Sequence, residues 1–365
     1  MAASACSQER VGGWAGTIDT LESGTVLISN PAQGIWREGS GWRLEDELKI
    51  GSREGGHGAF GDVWDFDVDR LGRIYVLDRI AQEVRVFDKD GSWIRNIGGP
   101  GGGPGEFIGV TGIAFDRQGR LWVLNQGNIR YSVFDTTGAL VKEPPRRTGG
   151  ARFAEWYGVF DRWGALYDVI SYPSATGLKF AFALYDTTTG LFVDTIPGVG
   201  FVGGAPLFWG AHLGTPYGWW LGRATEYKIH ETTFTGDTLR IVERPYDPIE
   251  LARSKTDSSA QLEKRLRKQA RGYLPPPAPD YMPVYFDFME DEDRYLFVVL
   301  TSPSGATDTH VDVFDPAGRY LGGMIALYHV ERRPPPVVRH NRMYFVTKDE
   351  MDVPYVVVLR ILGRE

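Results

Sequence analysis

Six histidines, His57, His212, His230, His310, His329 and His340, are the natural candidates for proton transfer or metal binding in this 365-residue chain, and they share no ligand spacing. His230-Glu231 opens like the metalloprotease H-E-x-x-H, but Phe234 stands where the second histidine is required. Gly56-His57-Gly58-Ala59-Phe60-Gly61 spells the dinucleotide fingerprint G-x-G-x-x-G. That motif needs a strand before it and a helix after it, so that a pyrophosphate rests on the helix N-terminus. Here Asp62 to Val68 alternates like a strand, so nucleotide binding is rejected. The tract Glu290-Asp291-Glu292-Asp293 has the oxygens a calcium ion favours. Aligning Arg294 with Arg120 places it instead on an outward hairpin turn, where acidic side chains are simply solvated. No G-x-S-x-G elbow, Walker loop or paired C-x-x-C occurs. No metal, cofactor or catalytic residue is expected from motifs alone.

The elements that would carry any chemistry show themselves through self-similarity. At a constant offset of 47, Phe60 falls on Phe107, Val63 on Val110, Asp69 on Asp116, Gly72 on Gly119, Val76 on Val123, Phe87 on Phe134 and Gly91 on Gly138. Asp69-Arg70-Leu71-Gly72 recurs as Asp116-Arg117-Gln118-Gly119 and Asp161-Arg162-Trp163-Gly164. A second turn follows each strand pair: Phe87-Asp88 to Gly91, Phe134-Asp135 to Gly138, Tyr185-Asp186 to Gly190 and Phe314-Asp315 to Gly318. An Asp that caps backbone N–H groups and a Gly that takes positive φ make hairpin turns. The unit is therefore four antiparallel strands in 47 residues.

Such a sheet has two faces to bury and cannot bury them alone. Radial repetition solves this, and the chain is expected to be all-β, a six-bladed β-propeller of four-stranded antiparallel blades. Blade centres fall near 63–97, 110–144, 155–196, 208–245, 284–328 and 337–363. The last is short of a strand. Thr25 to Ser29 would supply it and lock the ring, with Trp42 to Ile50 as an outer strand beside it. Residues 1–22 are set aside as an N-terminal tail and 23–365 as one propeller domain. An insertion at 247–280 holds Ile249, Leu251, Leu262 and Leu266 among basic residues, and predicts a helix near 248–271 that stops at Gly272 and Pro275-Pro276-Pro277. The insertion is either a solvated excursion or a basic cap over one mouth.

Carrying the register round the ring places Trp64, Trp156, Trp209 and Tyr285 at the position of Thr111. The innermost strand of a blade begins at the rim of the central channel. These residues would therefore ring one mouth, unless they plug the joints between blades. Asp62 and Asp65 are the acids placed near that channel.

Glycine, at 46 residues, is almost double its ordinary share of about 7%, while hydrophobic residues (42%) and charged residues (24%) are those of a packed chain, and 40 basic against 47 acidic residues leave −7. That balance lacks the footprint of a nucleic-acid binder. Cys6, the only cysteine, excludes an intrachain disulfide. Its setting, Ala3-Ser4-Ala5-Cys6-Ser7, is similar to the lipidation box of bacterial lipoproteins, without the apolar segment that a secretory signal carries before it. Attachment to a membrane would be by such an anchor or by docking, since no apolar run is long enough to span.

The repeats also resemble NHL-type six-bladed propellers in Gly72-Arg73-Ile74-Tyr75-Val76-Leu77-Asp78, Val84-Arg85-Val86-Phe87-Asp88, Ile97-Gly98 and Gly103-Pro104-Gly105-Glu106-Phe107. The likeness is strongest over 51–144 and looks most like the bacterial secreted or lipid-anchored members. It implies the fold and no single activity. The leading reading is a non-catalytic binding or scaffolding propeller in the periplasm or on the outer surface, with a protein partner or membrane complex, or a small molecule or glycan, at the channel mouth. The contrasting readings are a lactonase-like hydrolase with calcium in the channel, which wants carboxylates from at least three blades, and a carbohydrate-binding or lyase-type propeller.

Overall fold

Each hairpin turn is built by its aspartate. Asp69 Oδ1 accepts the N–H groups of Leu71 and Arg73, both at 2.9 Å, and its Oδ2 accepts Arg73 Nε at 2.6 Å. Asp116 does the same for Gln118 and Arg120, and Asp161 for Trp163 and Ala165. The second set of turns repeats the geometry at Asp88, Asp135 and Asp315. Gly72, Gly119 and Gly164 close the first set at φ of 79°, 76° and 93°.

In a computed structural model, residues 13–37, 39–147, 152–153, 158–174, 177–201, 210–223, 226–250, 281–303 and 305–364 are described. They form six sheets arranged as a ring, antiparallel except for one parallel pair at an outer edge. Blade 1 holds Val63–Val68, Ile74–Asp78, Glu83–Phe87 and Trp93–Gly98 from axis to rim, and blade 2 holds Val110–Phe115, Leu121–Asn125, Arg130–Phe134 and Leu140–Lys142. Blade 3 has Leu166–Ser174, Gly177–Asp186 and Leu191–Phe201, with two short inner pieces, Arg152–Phe153 and Val159–Phe160. Blade 4 contains Gly210–Thr215, Gly218–Arg223, Lys228–Thr232 and Thr238–Glu243, and blade 5 Tyr285–Glu290, Leu296–Leu300, Thr309–Phe314 and Tyr320–Ala326. Blade 6 is completed by a strand from the other end of the chain: Val337–Arg339, Arg342–Lys348 and Pro354–Leu362 are joined by Arg43–Ile50, antiparallel to the last of them.

That strand is the clasp of the ring, and it lies where the sequence placed an outer strand. The strand at Val26–Ser29 goes elsewhere. It pairs in parallel with Thr238–Glu243 on the outside of blade 4, and Thr17–Thr20, from the stretch set aside as a tail, pairs with it to make six strands. Local alternation identifies a strand but carries no information on which distant edge it joins. Here Trp14 and Ile28 are buried with Val242, and Asn30 binds across to Gly318 and Tyr320 of blade 5. The expected helix near 248–271 falls mostly on 251–280, outside the described residues, and no helix occurs among those that are described.

Every seam between consecutive blades has its own apolar cluster. Tyr75, Leu77, Phe107 and Val123 fill the first, Trp122, Tyr131, Phe160 and Leu166 the second, and Phe182 and Trp219 the third. Trp220, Phe288 and Phe314 occupy the fourth, and Phe297, Met343 and Phe345 the fifth. Phe66, Val76, Tyr344 and Val356 form the sixth, which packs the last blade on the first and so shuts the ring. Each such side chain contributes about 1.5–3 kcal/mol by leaving water. The second seam is also pinned by a buried ion pair: Arg146 and Asp168 are 1% and 0% exposed at 2.8 Å, and the Tyr131 hydroxyl donates to the same carboxylate.

Candidate ligand site at the channel mouth

The innermost strands run from one end of the axis, the mouth, to their Asp-headed turns at the other. A register shift between Val63 and Asp65 lets Trp64 and Asp65 leave the regular alternation, while Phe66 and Val68 stay in the seam with blade 6. The Trp64 indole N–H donates to the carbonyl of Thr111 at 3.1 Å, so these two expected site residues do come together. Two guanidinium groups lie over the same indole ring, Arg79 at 3.8 Å and Arg333 at 4.9 Å. Arg79 is held there by Asp62, at 2.8 to 2.9 Å. Between blades 1 and 6 this leaves a cleft of about 400 Å³ lined by Asp62, Val63, Trp64, His329, Glu331, Arg332, Arg333 and Lys348.

Below the mouth, the carboxyls of blade 1 reach toward the inner strand of blade 2. Asp65 accepts the N–H of Ile113 at 2.8 Å as well as that of Phe66. Asp67 accepts from Val68 and is bonded to the Phe115 amide. Burial pushes the Asp65 carboxyl up to about 8, the Ile113 amide opposing and the Asp67 charge adding to the rise. Burial also raises Asp67, against the nearby Arg339 guanidinium. Asp287 takes the place of Asp65 in blade 5 and is likewise raised to about 8 by burial. Its one backbone donor is its own neighbour Phe288. The approach to the next inner strand is Pro334-Pro335-Pro336, which has no amide hydrogen to offer.

Tyr285 is not at the rim. It is 1% exposed, packs in the fourth seam and donates its hydroxyl to the carbonyls of Glu226 and Lys228. The alignment of Arg294 with Arg120 is one residue out. Asp291 caps Asp293 and Tyr295, so it matches Asp116, and Arg294 sits at the closing glycine position with φ of 67°. A one-residue slip along a strand moves a side chain to the opposite face. The residue at the Trp64 position in blade 5 is Phe286, half-buried, with the Arg332 guanidinium 5.5 Å from its ring. Trp156, Trp209 and Cys6 lie outside the described residues.

The tract 290–293 is the turn expected of it, with Asp291 and Asp293 paired to Arg364. Gly56–Gly61 has no helix after it; Val63–Val68 follows as a strand. Arg332, Arg333 and Lys348 were not singled out by the sequence. The signal available was the pair Arg332-Arg333 immediately before three prolines, at a blade joint where the other joints are glycine-rich. Among the described residues, no three His, Cys, Asp or Glu side chains gather closely enough to hold a metal ion, and no helix is long and apolar enough to cross a membrane.

The six-bladed β-propeller family DUF5128 matches residues 66–143. No curated protein is similar in sequence. Among solved structures, a candidate exported protein of Bacteroides fragilis is 12% identical with a TM-score of 0.52, over 92% of this chain and 99% of its own. A DUF4221 member from Bacteroides vulgatus is 13% identical with a TM-score of 0.53, over 88% and 99%. A gluconolactonase of Xanthomonas campestris, at 13% identity and a TM-score of 0.45 over 81% and 86%, is too distant in shape to carry an argument. The class these observations define is a six-bladed, all-β propeller of four-stranded antiparallel blades.

Proposed function

We propose that the chain is a non-catalytic binding propeller acting outside the cytoplasm, of the NHL-like kind, which takes its ligand or partner at the mouth between blades 1 and 6. One observation carries this reading: Trp64 is fixed by the Thr111 carbonyl and by two guanidinium groups beside an open cleft. A rigid aromatic next to oriented polar groups is the composition of a recognition site. The description of the Bacteroides fragilis neighbour as a candidate exported protein supports the compartment. A lipid on Cys6 and docking on a membrane complex belong to the same reading. The chain's negative charge favours this over nucleic-acid binding, and among the described residues no three carboxylates gather as a calcium hydrolase would need.

The test is a thermal-shift screen of small molecules and glycans against the wild-type chain and Trp64→Ala. A ligand that raises the melting temperature of the first and not of the second supports the mouth. Elemental analysis that finds one calcium per chain returns the hydrolase. Labelled palmitate is expected on Cys6 in cells and absent from Cys6→Ala; label persisting on that variant removes the anchor.

A further inference from the structure

The inner hairpin turns, at the end of the ring opposite the mouth, carry more than their caps. In blades 1 to 3 the residue after the capping aspartate is an arginine, Arg70, Arg117 or Arg162, and all three are exposed. Asp69, Asp116 and Asp161 themselves are buried. The turn of blade 4 adds Pro216 and Tyr217, so the described inner turns of four consecutive blades present three cations and no exposed carboxylate. Apolar surface lies among them: Leu71 is 71% exposed, Trp163 70% and Tyr217 44%. These three side chains belong to none of the clusters that fill the seams. Blade 5 reverses the sign, with Glu292 and Asp293 exposed where Arg70 and Leu71 stand in blade 1.

The patch is continuous and its cations are oriented. The Arg70 side chain reaches the Arg117 carbonyl, and that of Arg117 reaches the Arg162 carbonyl, each through one of the five N–H donors of a guanidinium. The Arg162 amide donates to the Pro216 carbonyl, and the Arg162 guanidinium lies 4.2 Å from the centre of the Trp163 ring. A planar guanidinium fixed along one edge can offer another to a carboxylate, and an exposed indole beside it is the composition of a protein-binding hot spot. The seam bonds account for the arginines' direction, but they give no reason for Trp163 to stand in water. Charge then selects the occupant. A uniform polyanion that covered the arc would run on to Glu292 and Asp293. A segment with carboxylates over blades 1 to 3 and apolar side chains over Trp163 and Tyr217 meets no like charge, and that mixture is a polypeptide's.

We propose that this arc of the turn end is a docking face for an acidic segment of a partner protein, with carboxylates on Arg70, Arg117 and Arg162 and an apolar side chain on Trp163. It lies apart from the mouth and does not depend on it. The probe is a fluorescein-labelled peptide, Glu-Leu-Glu-Leu-Glu-Leu, with Gln-Leu-Gln-Leu-Gln-Leu as its neutral twin and heparin as a polyanion that is not a peptide; fluorescence anisotropy with the full chain reads binding. The acidic peptide is expected to bind at least about tenfold more tightly than the twin, and to weaken as salt is added. Arg70→Ala/Arg162→Ala and Trp163→Ala are each expected to lose about fivefold or more in affinity while their circular dichroism stays that of the wild type, because the side chains removed are exposed. Trp64→Ala, at the mouth, is the control and leaves peptide binding unchanged. The proposal is overturned by a twin that binds as tightly, by affinity that ignores the turn-end variants, by loss of the peptide in Trp64→Ala, or by no change in anisotropy at submillimolar chain. Heparin that binds more tightly than the acidic peptide and is lost in the same variants overturns the peptide in favour of a sulfated polysaccharide.

Discussion

The two ends of the ring are built on different principles. At the turn end, each blade is tied to the next around the axis. Arg70 donates to the Arg117 carbonyl at 3.0 Å, Arg117 to that of Arg162 at 2.7 Å, and the Arg162 amide to that of Pro216 at 2.9 Å. Arg294 lies over Tyr217 at 4.5 Å, and His340 closes the circuit on Glu292 and on the Asp69 carbonyl. Arg70, Arg117, Arg162 and His340 are thereby engaged across the seams at that end. At the mouth, the chain passes between blades through irregular joints, and a cleft opens beside Trp64. The contrast separates the turns that hold the ring from the joints that open beside it, although both are arginine-rich.

That contrast can be broken by substitution. The largest effect is expected for Asp116→Ala at the turn end, which removes two backbone caps, the Arg120 pair and the acceptor of the Trp122 indole N–H. Urea denaturation should show a loss of about 3 kcal/mol, since hydrogen bonds to charged groups are involved. At the mouth end, Gly98→Ala should cost about 2–3 kcal/mol: φ is 82°, and an added Cβ would stand 2.0 Å from the Phe107 ring. If Gly98→Ala is silent, the joints are more pliable than the blades they connect.

A pH series sharpens the comparison further. Asp287 titrates at about 8 in the fold and near ~3.9 when unfolded. Between those values the folded chain holds a proton that the unfolded chain releases, so stability falls as pH rises from about 4 to about 8 and levels above. Asp65 adds the same trend. In Asp287→Asn the fall should be reduced by on the order of 2 kcal/mol, read from denaturation at about pH 5, 7 and 9. An unchanged slope would mean that water in the channel solvates this carboxyl. The smallest effect belongs to Arg117→Ala, about 1 kcal/mol or less in stability and none in ligand affinity at the mouth.

Much of this architecture could be read along the chain. The 47-residue offset located blades 1 and 2 to the strand, because an Asp cap and a positive-φ Gly leave the same trace wherever they recur. The same cue misled once. Where Arg294 replaces the glycine, text alignment matched it to the wrong arginine and turned Tyr285 toward the channel. Trp64 and Thr111 were legible as neighbours of the axis because their blades repeat faithfully. Arg332, Arg333 and Lys348 were not, since no repeat marks them and they converge only when blade 6 closes on blade 1.

The order of residues alone determined the turns, the strands and the need for sheets to cover one another, because these depend on side chains a few positions apart. Which edge received Val26–Ser29 and which strand closed the ring depended on contacts between segments more than 200 residues apart, as in the bond from Asn30 to Gly318. Pairing at that range is decided by which polar and apolar surfaces remain uncovered once the blades have packed, and that exists only in the folded ring.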